Sequence, residues 1–493
     1  MKKKISLSIV AALCLTTASA YEMKPVGFKA MGMGGTGVAS TRGSLSGYYN
    51  PALLRFSDYT AEFSANVGVR LRESNVIDHV DTLDKINFET TLDNIAAKTV
   101  TPTDRNNIIS AQSTLNQIGT NNAFMLSATP SLTAQLSDAM AIGIYANLDV
   151  GLRLNIDRNY LDLIFKTGAS TYEVYDPSGS GSYSLSNPTD YQNSSLEYAV
   201  DNGLTYIDVE TMAMIETPIS FAKAVDFVSG TYSYGLSVKP MSLVRSKQKV
   251  NLGKSADQAD SEGEQYETTY KPTIGLDLGI AYRPQNSQVT WGLVGKNINS
   301  PKFKVDTTPD ATAIANGAIA LQDYKIDPFF RAGLSVPVFD DTAEFAFDAD
   351  LTKSDTLIVG EESQNIGVGL ELHPSSWFSF RVGAMQDIAS EKFDDGVILT
   401  TGVGFGLKWA QIDVSAMVSS KSGEYDGQSI PRYAAVNLSI VSRWGEGYNK
   451  KFVPEYEQSK QLEKKKKNAL TPEEKKRIQM ESEKAQSELE KSL

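Results

Sequence analysis

Alternation of apolar and polar residues with a period of two is the feature that most constrains how this chain can fold. In 343–352, AEFAFDADLT, the apolar residues Phe345 and Phe347 fall on one face of an extended strand, and the acids Glu344 and Asp348 fall on the other. Successive side chains of a strand point to opposite faces. The segment therefore predicts a strand with one apolar face and one wet face.

The same alternation recurs along most of the chain and predicts about fourteen strands. Most of them run for about nine or more residues, the length that a tilted strand needs to cross a bilayer. Soluble sheets typically use strands of about five or six residues. The predicted strands begin near Asp58, Ala123, Met140, Asp208, Thr231, Tyr270, Gln288, Ile326, Thr342, Gln364, Trp377, Val397, Ala410 and Arg432.

The connections between these strands alternate between short and long. The short ones lie at 137–138, 284–286, 339–341, 374–375 and around 409, with 222–230 intermediate in length. The long ones are 73–122, 155–207, 246–269, 298–325, 354–363, 388–396 and 421–431. Short periplasmic turns and long extracellular loops are typical of outer-membrane barrels. We therefore predict an all-β fold, an antiparallel transmembrane barrel over 58–445. A soluble β-sandwich is the alternative, but nothing in that fold would make short and long connections alternate along the chain.

Composition agrees with such a barrel but does not identify it. The chain has 493 residues, a formal net charge of -12 and 41% hydrophobic residues. Beyond the N-terminal segment no 18 consecutive residues are apolar, which argues against membrane-spanning helices. Barrels alternate lipid-facing and lumen-facing residues, so their average composition looks soluble. The negative charge argues against nucleic acid as a partner.

The first twenty residues, MKKKISLSIVAALCLTTASA, have the pattern of a bacterial secretory signal peptide. A basic start and a short apolar run precede the small residues Ala18 and Ala20, which suit cleavage after Ala20. Together with the barrel pattern, this segment predicts the outer membrane of a Gram-negative bacterium. Cys14 is the single cysteine and would be removed with the signal peptide, so the mature chain is expected to have no disulfide.

A glycine-rich run follows the signal peptide. Gly32, Gly34 and Gly37 fit the dinucleotide pattern G-x-G-x-x-G, but no apolar strand precedes them and further glycines and a proline interrupt what should be a helix. We therefore reject the nucleotide interpretation. A barrel of about fourteen strands encloses a lumen too wide for side chains to fill. We predict that residues 21–57, the hatch, fold inside that lumen.

Residues 27–54, GFKAMGMGGTGVASTRGSLSGYYNPALL, resemble the N-terminal hatch of the FadL-type long-chain fatty-acid transporter superfamily. The resemblance implies a fourteen-stranded barrel with the hatch in its lumen, and places the hatch motif at Gly32, Gly34, Gly35, Gly37, Asn50, Pro51 and Ala52. In this interpretation Asn50, Pro51 and Ala52 anchor the hatch.

A second resemblance concerns the first long loop. The stretch DHVDTLDKINFETTLDNIAAKT and the following RNNIISAQSTLNQI are similar to the helical insert of the TraF-like branch of that superfamily, which carries a conjugal-transfer name. The spacing of apolar residues predicts a pair of amphipathic helices within the insert, 72–122. An exposed and partly disordered loop is the alternative.

The last 48 residues, 446–493, are rich in lysine and glutamate. Thr471 and Pro472, followed by glutamates, form a typical helix start. Because the helix is polar nearly all round, we expect a solvated periplasmic tail. A contact with peptidoglycan or another envelope partner through this tail is the alternative. Trp444 stands where barrels of this superfamily usually end.

The alternation also predicts which charged residues face the lumen. Both signs are present, so this wall would pair with itself and with hatch backbone groups, which favours a plugged barrel over an open porin. The predicted wall residues are Arg70, Asp149, Arg153, Asp277, Lys296, Arg331, Glu344, Asp348, Asp350, Glu371, Arg381, Lys408 and Asp413.

Residues for catalysis are missing from the sequence. The two histidines, His79 and His373, lie far apart in the sequence. Neither has His, Cys or carboxylate neighbours at a spacing that suits a zinc site, and neither has a neighbouring serine nucleophile or a G-x-S-x-G motif. Asp348 and Asp350 could suggest Ca²⁺, but two lumen-facing acids on one strand explain them more simply. We therefore predict no enzyme activity, no cofactor and no metal.

The predicted function is uptake of hydrophobic molecules, such as long-chain fatty acids, by a FadL-like channel in the outer-membrane bilayer. The alternative is a structural or accessory protein of a conjugation or secretion system that does not transport. The sequence does not separate the two.

Overall fold

The structure is a computed structural model that describes residues 21–118, 122–251, 266–285, 287–339, 342–358, 360–375, 377–390, 393–407 and 409–445. The predicted signal peptide, the predicted tail and Lys408 lie outside the described residues.

In the described part of the chain, fourteen strands form one antiparallel ring. They are β1 (Ala61–Ser74), β2 (Ala123–Ala128 and Ser131–Ser137), β3 (Met140–Asn155), β4 (Tyr206–Glu216 and Ile219–Phe227), β5 (Gly230–Asn251), β6 (Glu267–Tyr270 and Thr273–Pro284), β7 (Thr290–Lys296), β8 (Phe329–Val338), β9 (Ala343–Asp350), β10 (Asn365–Ser375), β11 (Phe378–Asp387), β12 (Ile398–Leu407), β13 (Ala410–Ser419) and β14 (Tyr433–Trp444).

The ring closes between its first and last strands. β1 pairs with β14 from Ala61 opposite Trp444 to Arg72 opposite Tyr433, and every other strand pairs with its neighbours in sequence. Closure leaves no sheet edge unpaired, which the interior of a membrane requires. The prediction of a fourteen-stranded antiparallel barrel is confirmed.

Short turns join the strands at one end of the barrel, the turn end, and long loops join them at the other, the loop end. The predicted boundary of β4 was wrong: the strand continues to Phe227, and a tight turn at Val228 leads into β5. The prediction ended the strand at Phe221 because the charged Lys223 lies on the same exposed face as Phe221 and Phe227 and interrupts the apolar pattern there. The register across this interruption is nevertheless continuous.

The outer face of the ring is apolar. Along β3, Ile144, Leu148 and Val150 are exposed, whereas the intervening Asn147 and Asp149 are buried in the lumen. Exposed aromatic side chains lie near the turn end, at Phe227, Phe339, Trp377, Trp409 and Trp444. An apolar band bordered by aromatic residues is typical of transmembrane barrels. Separately, no helix in the described ranges is long and apolar enough to cross a membrane.

The hatch, residues 21–57, occupies the lumen. It contains two short α-helices, α1 (Phe28–Gly32) and α2 (Ser46–Tyr49), and two 3₁₀ turns, Gly43–Leu45 and Pro51–Phe56. Almost all of its residues are buried. Its side chains and backbone contact strands around the ring.

The insert forms three helices instead of the predicted pair: α3 (Val76–Lys85), α4 (Phe88–Ala96) and α5 (Pro102–Ile118). The first break falls at Asn87, whose φ of 46° is left-handed and ends the helical repeat. The insert packs on the loop between β3 and β4, and the two segments together form the loop-end module, 76–118 and 156–205. Buried residues shared between them include Ile108, Leu115, Leu163 and Leu196.

The remaining elements are short and lie in the long loops. They are a three-stranded sheet (Ile164–Lys166, Tyr172–Asp176 and Ser182–Ser186), α6 (Pro188–Ser194), α7 (Leu196–Asp201), α8 (Ala311–Ala315), Val305–Thr307 paired with β6, and the strand pairs Lys302–Phe303 with Tyr324–Lys325, Ser354–Asp355 with Glu362–Ser363 and Ser422–Tyr425 with Gln428–Pro431.

Candidate functional site: a plugged lumen and an apolar cavity

The glycines of the hatch lie against glycines of the wall. Gly34 has a φ of 66°, and its N–H donates to Thr400 Oγ1 at 2.9 Å. A Cβ placed on Gly367 of the wall would come within 1.9 Å of the Gly34 carbonyl oxygen, and one on Gly383 within 2.5 Å of the Gly34 nitrogen. Hatch and wall therefore meet backbone to backbone, which only residues without a Cβ allow.

The other glycines of the hatch motif also have wall partners. The Thr400 hydroxyl donates to the Gly32 carbonyl oxygen at 3.0 Å, and Arg331 Nη1 donates to that of Gly35 at 3.5 Å. The N–H of Gly37 donates to Asp348 Oδ2 at 2.7 Å. The glycine pattern therefore positions backbone groups against a barrel wall and has no role as a nucleotide loop here.

Asn50, Pro51 and Ala52 form the start of the second 3₁₀ turn. The Asn50 side chain accepts from the Ala52 N–H at 3.1 Å and donates to the carbonyl oxygens of Val38 at 3.0 Å and of Ile280, on β6, at 3.2 Å. Pro51 suits the first position of such a turn because its φ is preset. The motif thus joins two parts of the hatch to one strand of the wall.

Ion pairs also connect the hatch to the wall. Glu22 accepts from Arg70 at 2.7 Å, Lys24 pairs with Asp149, and Lys29 lies 2.5 Å from Glu344. Lys29 also contacts Glu371 at 2.9 Å. The sequence analysis named the wall members of these pairs but missed Glu22, Lys24 and Lys29, although charged residues in a segment assigned to the lumen were themselves a usable signal.

Further pairs lie within the wall. Arg381 is 1% exposed and contacts Glu371 at 2.6 Å and Asp413 at 2.7 Å, while Arg331 pairs with Asp350. Asp277 contacts Lys239, another cation that the sequence analysis missed, at 3.0 Å. The predicted wall residues that the structure describes are buried, except Arg153, which is partly exposed and lies 3.4 Å from Asp208 near the loop end.

Truncation of Arg381 is expected to destabilise the barrel. Arg381→Ala leaves the buried Asp413 without its paired cation and removes one of the two cations that contact Glu371, a change that costs about 3–5 kcal/mol. Urea unfolding of the refolded barrel, followed by its gel mobility without heating, measures the loss. Arg42→Ala is the matched control, because Arg42 is partly exposed and lies 3.5 Å from Glu344; its loss should be below about 1 kcal/mol. Equal losses in the two variants would contradict the prediction.

The lumen is apolar above the hatch, toward the loop end. Met125, Met212, Met214 and Met241 project inward from β2, β4 and β5 and pack with apolar side chains from the loops, such as Phe393. The sequence analysis missed this cluster because both faces of these strand ends are apolar, so the alternation fades there. Methionine is flexible and fills irregular spaces.

A cavity of about 650 Å³ lies at the loop end. Its floor is formed by Phe124 of β2, by Leu152 and Leu154 of β3 and by Ile207 of β4. The loop-end module forms the walls; the apolar wall residues are Val76, Val80, Leu83, Phe88, Leu92, Leu115, Ile156, Leu163, Ile164, Phe165, Leu196 and Val200. We call this space the apolar cavity.

The apolar cavity lies on the outer side of the barrel wall. Leu152 and Leu154 share a face of β3 with Leu148 and Val150, which are exposed on the apolar band, whereas Asp149 on the other face pairs with the hatch. The cavity floor therefore continues the lipid-facing surface beyond the end of the band. β3 has 16 residues, more than the roughly 9–11 that cross a bilayer, and this surplus was the signal available in the sequence.

Five polar side chains also line the apolar cavity: Asn122, Asp162, Glu197, Asp201 and Thr205. Asn122 is engaged, since its amide bonds both the N–H and the carbonyl oxygen of Leu154 at 2.7 Å. Burial raises the pKa of Glu197 even though the Tyr191 hydroxyl donates to it at 3.2 Å. Asp162 and Asp201 are exposed at the rim.

A second space of about 750 Å³, the turn-end vestibule, lies on the opposite side of the hatch. It is lined by both hatch and wall residues, among them Lys29, Arg42, Glu344, His373 and Arg443. His373 lies 3.3 Å from Glu371. In the ranges that the structure describes, no cluster of three or more His, Cys, Asp or Glu residues is arranged to hold a metal ion.

These features define a plugged transmembrane β-barrel with an apolar cavity at its loop end. A protein-family model described as "F plasmid transfer operon, TraF, protein" matches residues 47–351. The chain therefore belongs to this TraF family, and the predicted TraF-like branch is confirmed. A comparison with curated proteins gave no match.

The chain is also similar to solved channel structures at low identity. These include the CymD monoaromatic hydrocarbon channel (12% identity over 87% of this chain and 100% of that chain, TM-score 0.44) and the toluene transporter TodX of P. putida (11% identity, 86% and 100%, TM-score 0.43). A FadL homologue of Pseudomonas aeruginosa is similar too (10% identity, 86% and 99%, TM-score 0.42). At these values we draw no functional conclusion from the similarity.

Proposed function

We propose that this protein resides in the outer membrane of a Gram-negative bacterium, with its long loops outside the cell, and takes up hydrophobic small molecules. The observation that carries the proposal is the apolar cavity. Pockets for small molecules are mostly apolar, measure about 300–1,000 Å³ and contain a few placed polar groups. A cavity of about 650 Å³ with five polar side chains has these properties.

The hatch supports a gated form of uptake. Its backbone lies against wall glycines and its charges pair with wall charges, so a solute cannot pass without displacing it. The ligand would first bind in the apolar cavity on the outer side of the wall and would then have to enter the lumen past the strand ends at the loop end. Passage would follow from a rearrangement of the hatch toward the turn-end vestibule. Long-chain fatty acids and other hydrophobic molecules are the proposed substrate class.

A charge placed in the cavity is expected to reduce uptake. Leu92→Glu introduces an unpaired carboxylate into the apolar wall, which disfavours occupancy by an apolar molecule. Uptake of a tritiated hydrophobic compound by a deletion strain that carries the variant should fall by about tenfold, corresponding to about 1.4 kcal/mol of lost binding.

Ile109→Glu is the matched control for this variant, because Ile109 lies on α5 of the same module and is exposed outside the cavity. Its uptake should match that of the wild type. Normal uptake by Leu92→Glu, with the variant at wild-type abundance in the outer membrane, would refute the assignment of the cavity to uptake.

Membership of the TraF family favours a second candidate, an accessory role in a conjugation or secretion system without transport. The predicted tail, 446–493, would then contact a periplasmic or envelope partner. Crosslinking in cells with and without the tail tests this role. A partner captured only by the full chain, together with unchanged uptake in a deletion strain, would favour the accessory role over uptake.

A further inference from the structure

The Asn122 side chain closes the ladder between β2 and β3 at the loop end. Regular pairing of these strands ends where Phe124 stands opposite Leu152. Two residues further on, the Leu154 N–H donates to Asn122 Oδ1 at 2.7 Å, and Asn122 Nδ2 donates to the Leu154 carbonyl oxygen at 2.7 Å. One side-chain amide therefore supplies both hydrogen bonds that a backbone pair would exchange. Because a side chain can change its rotamer, this rung can be released without breaking the backbone ladder below it.

The wall is apolar on both faces at these strand ends. On the outer face, Phe124, Leu152 and Leu154 form the floor of the apolar cavity. On the lumen face, Ala123 and Met125 are buried in the apolar cluster above the hatch. A hydrophobic molecule that crossed the wall here would leave one apolar surface and reach another.

A glycine keeps the wall thin at the same level. A Cβ placed on Gly151 of β3 would come within 2.9 Å of Ile358 Cδ1 and 3.3 Å of Leu357 Cδ2, two loop residues of the lumen cluster. The next residue on that face, Arg153, forms its ion pair with Asp208 of β4, on the side away from β2. Between β2 and β3, one layer of backbone therefore separates the two apolar spaces.

The same amide is connected to a helix that lines the cavity. Asn122 Nδ2 also donates, at 3.3 Å, to the carbonyl oxygen of Ile118, the last residue of α5. Leu115, one turn earlier on α5, lines the apolar cavity. A molecule that enters the cavity and displaces α5 would therefore also pull on the Asn122 rung.

We infer that Asn122 is a latch across the ends of β2 and β3, and that its release lets a hydrophobic molecule pass from the apolar cavity into the lumen between these two strands. The inference rests on the proposed function and gives that uptake its route through the wall. Asn122 is a positioning residue, since it holds the strand ends together and needs no contact with the ligand. Entry at this level also avoids the charged pairs lower in the lumen, such as Lys24 with Asp149.

A disulfide across the strand ends tests the route. Phe124 and Leu152 stand directly opposite each other, so Phe124→Cys with Leu152→Cys places two Cβ atoms about 4.5–5.5 Å apart, near the range of a disulfide. The bridge should form in the oxidising periplasm. Uptake of tritiated oleate by a deletion strain that carries this pair should then fall to the level of the deletion strain alone. Dithiothreitol should restore uptake by the same cells.

The matched control pair lies two residues lower on the same strands. Leu126→Cys with Val150→Cys has the same register and the same hydrogen-bonding class, because an antiparallel ladder repeats every two residues. This bridge joins strands that stay paired in the inferred route, so its oxidation should leave uptake unchanged. Purified Phe124→Cys, Leu152→Cys protein should bind N-phenyl-1-naphthylamine equally when oxidised and reduced, with protein-free micelles subtracted, because the bridge blocks passage and leaves the cavity open.

Removal of the amide tests the latch itself. Asn122→Leu keeps the size of the side chain but removes both bonds to Leu154, so the strand ends should part more often and oleate uptake should rise about threefold at wild-type abundance. Gln112→Leu is the matched control, because Gln112 Nε2 donates to the Leu161 carbonyl oxygen at 2.8 Å within the same module and away from the strand ends. Its uptake should match that of the wild type.

The outcomes separate the inference from the proposed function. The inference is overturned, while the proposed function stands, if oxidised Phe124→Cys, Leu152→Cys cells take up oleate as reduced ones do, with the bridge verified by gel mobility. Uptake by Asn122→Leu no faster than that of the wild type overturns it too, as does loss of probe binding on oxidation, because the bridge would then act on the cavity. If the wild type takes up no more oleate than the deletion strain, the proposed function fails and the route fails with it.

Discussion

A disulfide between positions 44 and 133 is expected to abolish uptake. Ser44 belongs to the hatch and Thr133 to β2, both are buried, and their side-chain oxygens lie 2.9 Å apart. The pair Ser44→Cys and Thr133→Cys is therefore close enough to bridge in the oxidising periplasm. Because the hatch occupies the lumen, a covalent link to the wall should reduce uptake of a hydrophobic compound to the level of a deletion strain, and a thiol reductant should restore it.

The single variants are the controls for the disulfide. Each loses one of the two hydroxyls that the pair loses but cannot form the bridge, and the mature chain is expected to lack any other cysteine. Both single variants should transport like the wild type. Uptake that persists in the oxidised double variant, with the bridge verified by gel mobility, would show that hydrophobic molecules bypass the hatch.

Substitution of Gly34 is expected to open the barrel. A Cβ on Gly34 would lie 2.3 Å from the Val368 carbonyl oxygen and 2.4 Å from that of Ala384. Both atoms are strand backbone and cannot move without breaking the ladder, so Gly34→Ala should displace the hatch. The expected result is higher conductance in planar bilayers and greater sensitivity of cells to large antibiotics that the outer membrane normally excludes.

Gly35→Ala is the matched control, since it carries the same backbone strain without the same clash. Its φ is 76°, close to the 66° of Gly34, and the left-handed region costs roughly 1 kcal/mol at either position. A Cβ on Gly35 would meet Met385 Sδ at 3.0 Å, and that side chain can rotate away. The prediction fails if the two variants conduct equally, because strain alone would then account for any leak.

The barrel could be predicted from the sequence because a membrane leaves few options. Phe345 must face lipid if Asp348 faces the lumen, and the period of two extends this reasoning along the strand. Errors arose where a residue breaks the pattern for a local reason. Lys223, a charge on the outer face, shortened the predicted β4, and the left-handed Asn87 divided a helix that apolar spacing alone had continued.

The partners of the charges and the apolar cavity could not be predicted in the same way. Arg381 was assigned to the lumen by alternation, but its contacts with Glu371 and Asp413 follow from the register of four neighbouring strands, β10 to β13. The cavity combines side chains from 76 to 207, brought together by loop packing that no local pattern encodes.

The closure of the ring by β1 and β14 has a consequence for the order in which the molecule is built. The hatch leaves the ribosome before any strand, and the ring is completed only by the last strand, with Trp444 opposite Ala61. The wall can therefore assemble around a hatch that is already present, so the hatch does not have to be inserted into a barrel that has already closed.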